Sequence, residues 1–187
     1  MAVMLNREAL AMMEFKSISR GLECVDGALK GFPVELILLK VICPGKLLAA
    51  IAGETAAVRG ALEQARTTDV GLTYIDDFFL GNPPPGIFPA LKGTAPVNRR
   101  GALGIIETFT ASSALTAADT AAKAADVTLV TIHVARGLAG KGHVYLVGST
   151  GAVEIALEAV EEGLEPGLLA RRRIIAAPDD AVWSAIL

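Results

Sequence analysis

The sequence predicts an α/β (α+β) chain of two tandem β-α-β-β-α-β sandwiches of the ferredoxin-like kind, each closed by a short C-terminal helix. Three observations carry that reading. First, the chain repeats itself: Ala9-Leu10 matches Ala102-Leu103, Glu14 matches Glu107, and Asp26, Ala28 and Lys30 match Asp119, Ala121 and Lys123, at a constant offset (107 − 14 = 93; 123 − 30 = 93). Second, the offset becomes 95 from Gly53 and Gly148 onward (148 − 53 = 95), so the second copy has gained two residues between its second and third strands. Third, β-rich runs and helix-period stretches follow one another in the same order in both copies, the order of a split βαβ sandwich.

Taken in order, residues 1–8 form an N-terminal extension, 9–91 the first domain, 92–101 a linker and 102–187 the second domain. The first strands cover about Ala9–Lys16 and Ala102–Phe109. In the helix that follows, Ile18, Leu22, Val25 and Leu29 recur with helical spacing, and Ala111, Leu115, Ala118 and Ala122 take their places in the second copy. Ser17 or Ser19, and Ser112 or Ser113, are the candidate N-caps. Asp26–Lys30 and Asp119–Lys123 are i,i+4 pairs worth a few tenths of a kcal/mol each. Second strands (Val34–Ile42, Val127–Val134) and third strands (Leu47–Ala52, His143–Val147) lead to helices starting near Thr55 and Thr150. Their stripes are Val58, Ala61, Leu62, Ala65 and Val153, Ala156, Leu157, Val160. Fourth strands (Leu72–Leu80, Leu168–Ile175) and short helices carrying Phe88 and Trp183 close the copies. Gly93, Pro96 and Gly101 mark the linker.

Hydrophobic residues make up 52% of the 187 and charged residues 20%, with a mean hydropathy of +0.51; soluble domains carry roughly 25% charged residues. The longest apolar run, Val34–Cys43, is interrupted by Glu35 and Lys40 and falls short of the ~18 residues a membrane span requires. Such a chain is expected to bury surface against other chains, which favours an oligomer. A net charge of −3 and a pI of about 5.4 argue against nucleic acid as a partner. The one dense basic run, Arg171-Arg172-Arg173, reads as decoration of a solvated strand or interface. The N-terminus has no signal-peptide pattern, and two cysteines without one point to a reducing, cytoplasmic setting.

Between the second and third strands of the first copy lies Ile42-Cys43-Pro44-Gly45-Lys46, a Gly/Pro turn with a thiol at its entrance. One thiol per chain builds no metal site unless several copies meet. Proline fixes φ and has no N–H, glycine permits a tight turn, and Lys46 brings positive charge beside the thiol. There is no glycine-rich phosphate loop, His-Glu metal pair or nucleophile elbow, so the sequence does not read as an enzyme.

Ala102-Leu103-Gly104-Ile105-Ile106-Glu107-Thr108, Ala117-Ala118-Asp119, Lys123 through Leu129, and Gly148-Ser149-Thr150-Gly151-Ala152-Val153 resemble the bacterial microcompartment (BMC) shell domain. The first copy resembles a diverged version of it. The resemblance implies a homotrimer with a pseudohexagonal outline that tiles, with neighbouring shell proteins, the shell of a cytoplasmic microcompartment. Residues 40–46 further resemble the propanediol-utilisation type of tandem shell protein, in which this loop meets its symmetry mates at the threefold axis. That resemblance implies a 4Fe–4S cluster held by three copies of Cys43, electron transfer across the shell and an enclosed redox enzyme as partner. The alternative is a purely structural tile with a metabolite-conducting pore and no cluster.

The same resemblance places Pro44, Gly45 and Lys46, with Leu138, Ala139, Gly140 and Lys141 of the second-copy loop, on the pore. Lys30 and Lys123 fall at the tile edge. Gly81-Asn82-Pro83 and Ala176-Ala177-Pro178-Asp179 depart from the Pro-Arg-Pro-like edge motif of the family. Cys24 reads as a small buried thiol. His133 and His143 lack a carboxylate or cysteine at ligand spacing and read as structural or pore-adjacent.

Overall fold

The computed structural model describes residues 6–68, 73–97, 101–134 and 141–186. The chain divides into two compact units, Met1–Pro83 and Pro84–Leu187. The first comprises β1 (Ala9–Phe15), α1 (Ile18–Gly31), β2 (Val34–Ile42), β3 (Lys46–Gly53), α2 (Thr55–Thr68) and β4 (Tyr74–Gly81). The second comprises α3 (Ile87–Lys92), β5 (Ala102–Thr108), α4 (Ala111–Ala124), β6 (Thr128–Val134), β7 (Gly142–Gly148), α5 (Thr150–Gly163), β8 (Leu169–Ile175) and α6 (Asp180–Ile186). Each unit holds one antiparallel sheet, ordered β2-β3-β1-β4 and β6-β7-β5-β8. This is the strand order that the β-α-β-β-α-β sandwich requires, in both copies. The contact boundary places α3 with the second unit, where its buried Ile87, Phe88, Ala90 and Leu91 face β6 and α4.

The strands at the centre of the first sheet, β3 and β1, are its most buried. Every residue of β3 from Leu47 to Gly53 is buried, as are Ala9 through Met13 of β1. Alternate residues of these strands, including Met13, Phe15, Leu47 and Ile51, pack with Cys24, Val25, Val58 and Leu62 of α1 and α2. Among the described residues no helix is long and apolar enough to cross a membrane.

Helix α1 differs from its expected stripe. Its buried residues are Gly21, Cys24, Val25 and Ala28, whereas Leu22 is exposed. A side chain at position 21 would stand 2.8 Å from Leu47 Cδ2 and 2.9 Å from Phe15 Cγ. Gly21 therefore lets the helix lie against the sheet on its small-residue face, and close packing outweighs the larger transfer gain of burying Leu22. The caps also divide. Ser17 caps α1, accepting from Arg20 N. Thr110, rather than Ser112 or Ser113, caps α4, and Ser113 completes a reciprocal capping box with it.

In both units the second long helix is tied to the edge strand by an Arg–carboxylate pair. Arg66 of α2 donates to both carboxylate oxygens of Asp77 on β4, at 2.7 and 2.5 Å, and the Tyr74 hydroxyl donates to Asp77 Oδ2 at 2.8 Å. Burial alone would raise the Asp77 carboxyl, but these donors hold it below the ordinary range. Burial and the bond to Asp77 push the Tyr74 phenol up. In the second unit Arg172 of β8 donates to Glu161 of α5.

Candidate functional site

Residues Ile42 and Lys46 form the last rung of the β2–β3 ladder, so Cys43, Pro44 and Gly45 alone make the connection. Gly45 has φ 79°, in the left-handed region that glycine enters without strain, and the Cys43–Pro44 bond is cis. All three residues are exposed. Just before them, on the edge strand β2, Leu39 and Val41 are also exposed, Val41 at 56%. The turn thus presents a thiol beside apolar surface that is uncovered within one chain.

Lys46 does not reserve its charge for that thiol. Its Nζ lies 2.7 Å from Glu14 Oε1, with both side chains partly buried. The ion pair links β3 to β1 at the root of the turn and largely compensates the charge that the sequence assigns to Cys43. Cys24, the other cysteine, is 1% exposed in the helix–sheet core.

Of the second-copy loop, Leu138, Ala139 and Gly140 lie outside the described residues. Lys141 is exposed, and its Nζ stands 5.3 Å from the centroid of the Phe109 ring. Lys30 and Lys123 sit in the last turns of α1 and α4. Each bonds its i−4 aspartate: Lys30 to Asp26 at 2.6 Å, Lys123 to Asp119 Oδ2 at 2.9 Å. They are equivalent in the two units and remain exposed.

Sequence spacing misses the neighbours of the histidines. The ladder sets His133 of β6 opposite His143 of β7, and His143 opposite Glu107 of β5, one row across three strands on one face. The imidazoles stack with centroids 5.0 Å apart at 9°, and Tyr145 leans on His143 at 4.7 Å. Ile105, Glu107, Lys141, His143 and Tyr145 line a cavity of about 240 Å³ here. The signal lay in the repeat: Glu107 matches Glu14, and pairing β5 with β7 brings it to His143. Glu14 takes Lys46 as its partner and Glu107 faces a histidine, so the polar rows of the two copies have diverged.

Burial, then the neighbouring His133, lowers the His143 proton affinity, and Glu107 opposes them less strongly. A histidine whose folded value lies below its unfolded value of about 6.5 binds fewer protons when folded. Its contribution is therefore fully present above about pH 6.5 and is lost as pH falls through the folded value. His143→Phe, which keeps a ring in the stack, should give a shallower fall in melting temperature between pH 7.5 and 5.5 than the parent. Identical pH slopes in calorimetry would refute this.

Comparison with known proteins bears on family and fold. The BMC-domain family model matches residues 9–83 and again 102–178. The chain is 36% identical over 177 residues to the bacterial microcompartment shell protein PduT of Citrobacter freundii, covering 94% of this chain and 96% of that protein. A crystal structure of a microcompartment protein from Desulfitobacterium hafniense superposes with a TM-score of 0.90 at 37% identity, covering 96% of this chain and 99% of that one. A double-ringed trimeric shell protein of the RMM microcompartment shares the fold at a TM-score of 0.59 and 18% identity, covering 83% and 81% of the two chains. Each matched segment spans one β-α-β-β-α-β set, β1 to β4 and β5 to β8. The chain therefore belongs to the BMC-domain family, as a structural, non-enzymatic shell protein of the tandem type related to PduT.

Proposed function

We propose that the chain is a homotrimeric, pseudohexagonal shell tile whose threefold axis gathers three copies of Cys43 around one 4Fe–4S cluster. The observation that carries this reading is the exposed Cys43 at the tip of a three-residue turn, in a segment resembling the cluster-bearing type of shell protein. The donor set fits a shared site. Among the described residues no three His, Cys, Asp or Glu side chains are placed to hold a metal within one chain, and Cys24 is buried. One chain thus offers one accessible thiol, and a closed threefold ring of chains offers three. Iron–sulfur clusters take cysteine thiolates, usually four, which leaves the fourth iron to a non-protein ligand.

When bound, such a cluster supplies one-electron transfer across the tile. The chain's own residues shape its surroundings. Cys43 provides the thiolate, Pro44 offers no N–H at the tip, and Gly45 closes the turn without a side chain. The Lys46–Glu14 pair fixes the base of the turn. The family resemblance assigns Lys141, with Leu138, Ala139 and Gly140, a pore-lining role as well. The exposed Leu39 and Val41 support burial against a neighbouring copy. Lys30 and Lys123 act at the tile edge toward neighbouring shell proteins, and an enclosed redox enzyme exchanges electrons with the tile. The tile works in the shell of a microcompartment in the cytoplasm.

Anaerobic reconstitution with iron and sulfide tests the proposal. The parent should become brown and retain about four irons per three chains, the content of one cubane. Cys43→Ala should retain none while keeping its oligomeric state by light scattering. An intact anaerobic parent that takes up no iron would refute the cluster and leave a structural tile with a metabolite-conducting pore.

A further inference from the structure

The two copies carry the same helix-to-edge-strand tie with its charges exchanged. Arg66 of α2 corresponds to Glu161 of α5, and Asp77 of β4 corresponds to Arg172 of β8 (161 − 66 = 95; 172 − 77 = 95). Their structural positions agree as well. Asp77 is paired with Met13 on β1, and Arg172 with Ile106 on β5, its counterpart (106 − 13 = 93). Both ties form. The apolar residues around them are nearly interchangeable: Val58, Ala61, Leu62 and Ala65 on α2, Val153, Ala156, Leu157 and Val160 on α5.

That similarity is a hazard. β4 and β8 are edge strands, each added to the outer side of an equivalent strand, β1 or β5. Edge strands are the elements most readily exchanged, and exchange between repeats, within or between chains, is a characteristic misfolding route of tandem proteins. The helix stripes and the ladder do not tell the two edges apart, and the strands themselves differ most in charged positions, with Phe78 also standing where Arg173 does (173 − 78 = 95). We infer that the reversed charge pairs sort β4 to the first copy and β8 to the second during folding.

If β8 entered the first sheet, Arg172 would arrive at Arg66. If β4 entered the second, Asp77 would arrive at Glu161. Each exchange forfeits an Arg–carboxylate bond and sets two like charges together beside a sheet. A second difference acts in the same direction. Tyr74 bonds Asp77, and its counterpart Leu169 (169 − 74 = 95) has no hydroxyl to offer. A charged residue facing the helix layer from an edge strand is a known device against wrong pairing. Here the device has a polarity, and the polarity distinguishes one copy from the other.

The test keeps a helix-to-strand ion pair in each copy while erasing the difference; Arg66→Glu also gives up the ion pair with Glu63, and Asp77→Arg gives up the Tyr74 bond. Arg66→Glu with Asp77→Arg gives the first copy the polarity of the second. Glu161→Arg with Arg172→Glu does the reverse. All four changes together restore opposite polarities. The full chain is unfolded in urea, refolded by dilution at several protein concentrations, and the native species is counted by size-exclusion chromatography. Each two-change variant should return about threefold less native protein than the parent, a factor in keeping with partly exposed ion pairs. The deficit should grow with concentration as exchanged oligomers appear, and the four-change variant should recover the parental yield. Equal yields in all four proteins would overturn the inference. So would a four-change variant as poor as the two-change ones, since that would mark local damage rather than sorting.

Discussion

Trp183→Ala should destabilise the second unit by about 3–5 kcal/mol, the range for truncating a large aromatic in a packed core. Trp183 is 1% exposed and packs with Leu103, Val130 and Val147. It is also the one buried residue of α6, a helix of 7 residues. A helix this short has little stability of its own, so its docking depends on this indole. Removing it both opens a cavity and releases the helix. At roughly 4–8 °C per kcal/mol for a unit of this size, the second unit's calorimetric transition should fall by about 12 °C or more. A shift below about 4 °C would mean that α6 contributes little to the fold. Trp183→Phe, which keeps the ring contacts, should recover much of the loss.

Gly101→Ala should be strongly destabilising, because among the described glycines it combines a positive φ with a close backbone contact. Gly101 has φ 119°, a conformation that costs a residue with a side chain about 1–3 kcal/mol. The added carbon would also stand 2.4 Å from the Gly148 carbonyl oxygen. That oxygen cannot swing away, because Gly148 is paired with Ala102 at the end of the β5–β7 ladder. Overpacking adds about 1–3 kcal/mol, for a total of about 2–6 kcal/mol. Gly45→Ala is the control. Its φ is 79° but nothing lies within 4 Å of the added carbon, so only the backbone cost of about 1–2 kcal/mol applies. Urea midpoints of the two variants should therefore differ clearly. Equal midpoints would contradict the role assigned to the backbone contact.

Much of the fold was legible because the chain states it twice. A constant offset that shifts by two residues at a hairpin preserves every element, and the apolar periods then assign strand or helix in both copies together. The stripes of α2 and α5 emerged residue for residue. The stripe of α1 did not, because periodicity rewards the large apolar Leu22 whereas the sheet accepts the closer approach that Gly21 allows. The cap of α4 was misplaced by two residues or more for a related reason. Several hydroxyls stood in a row, and only the backbone's departure from helical geometry at Thr110 selects among them.

At the candidate site the division is similar. Sequence alone located the turn, its thiol and its glycine, because proline, glycine and cysteine act through local geometry and chemistry. It could not show that Lys46 is claimed by Glu14, or that Glu107, His143 and His133 form one row. Those partners lie 32, 36 and 10 residues apart (46 − 14; 143 − 107; 143 − 133) and meet only through strand register.

Repeats, periods and turn residues are local properties of the chain, and they were enough to give the tandem architecture, the family and the turn that carries the exposed Cys43. The tertiary structure decided which charges face one another. It gave Lys46 to Glu14, set Glu107 beside a histidine pair, and placed Arg66 on Asp77 and Arg172 on Glu161. These partners are chosen by register and helix packing, which depend on the whole sheet, whereas the i,i+4 pairs Asp26–Lys30 and Asp119–Lys123 follow from spacing along one helix.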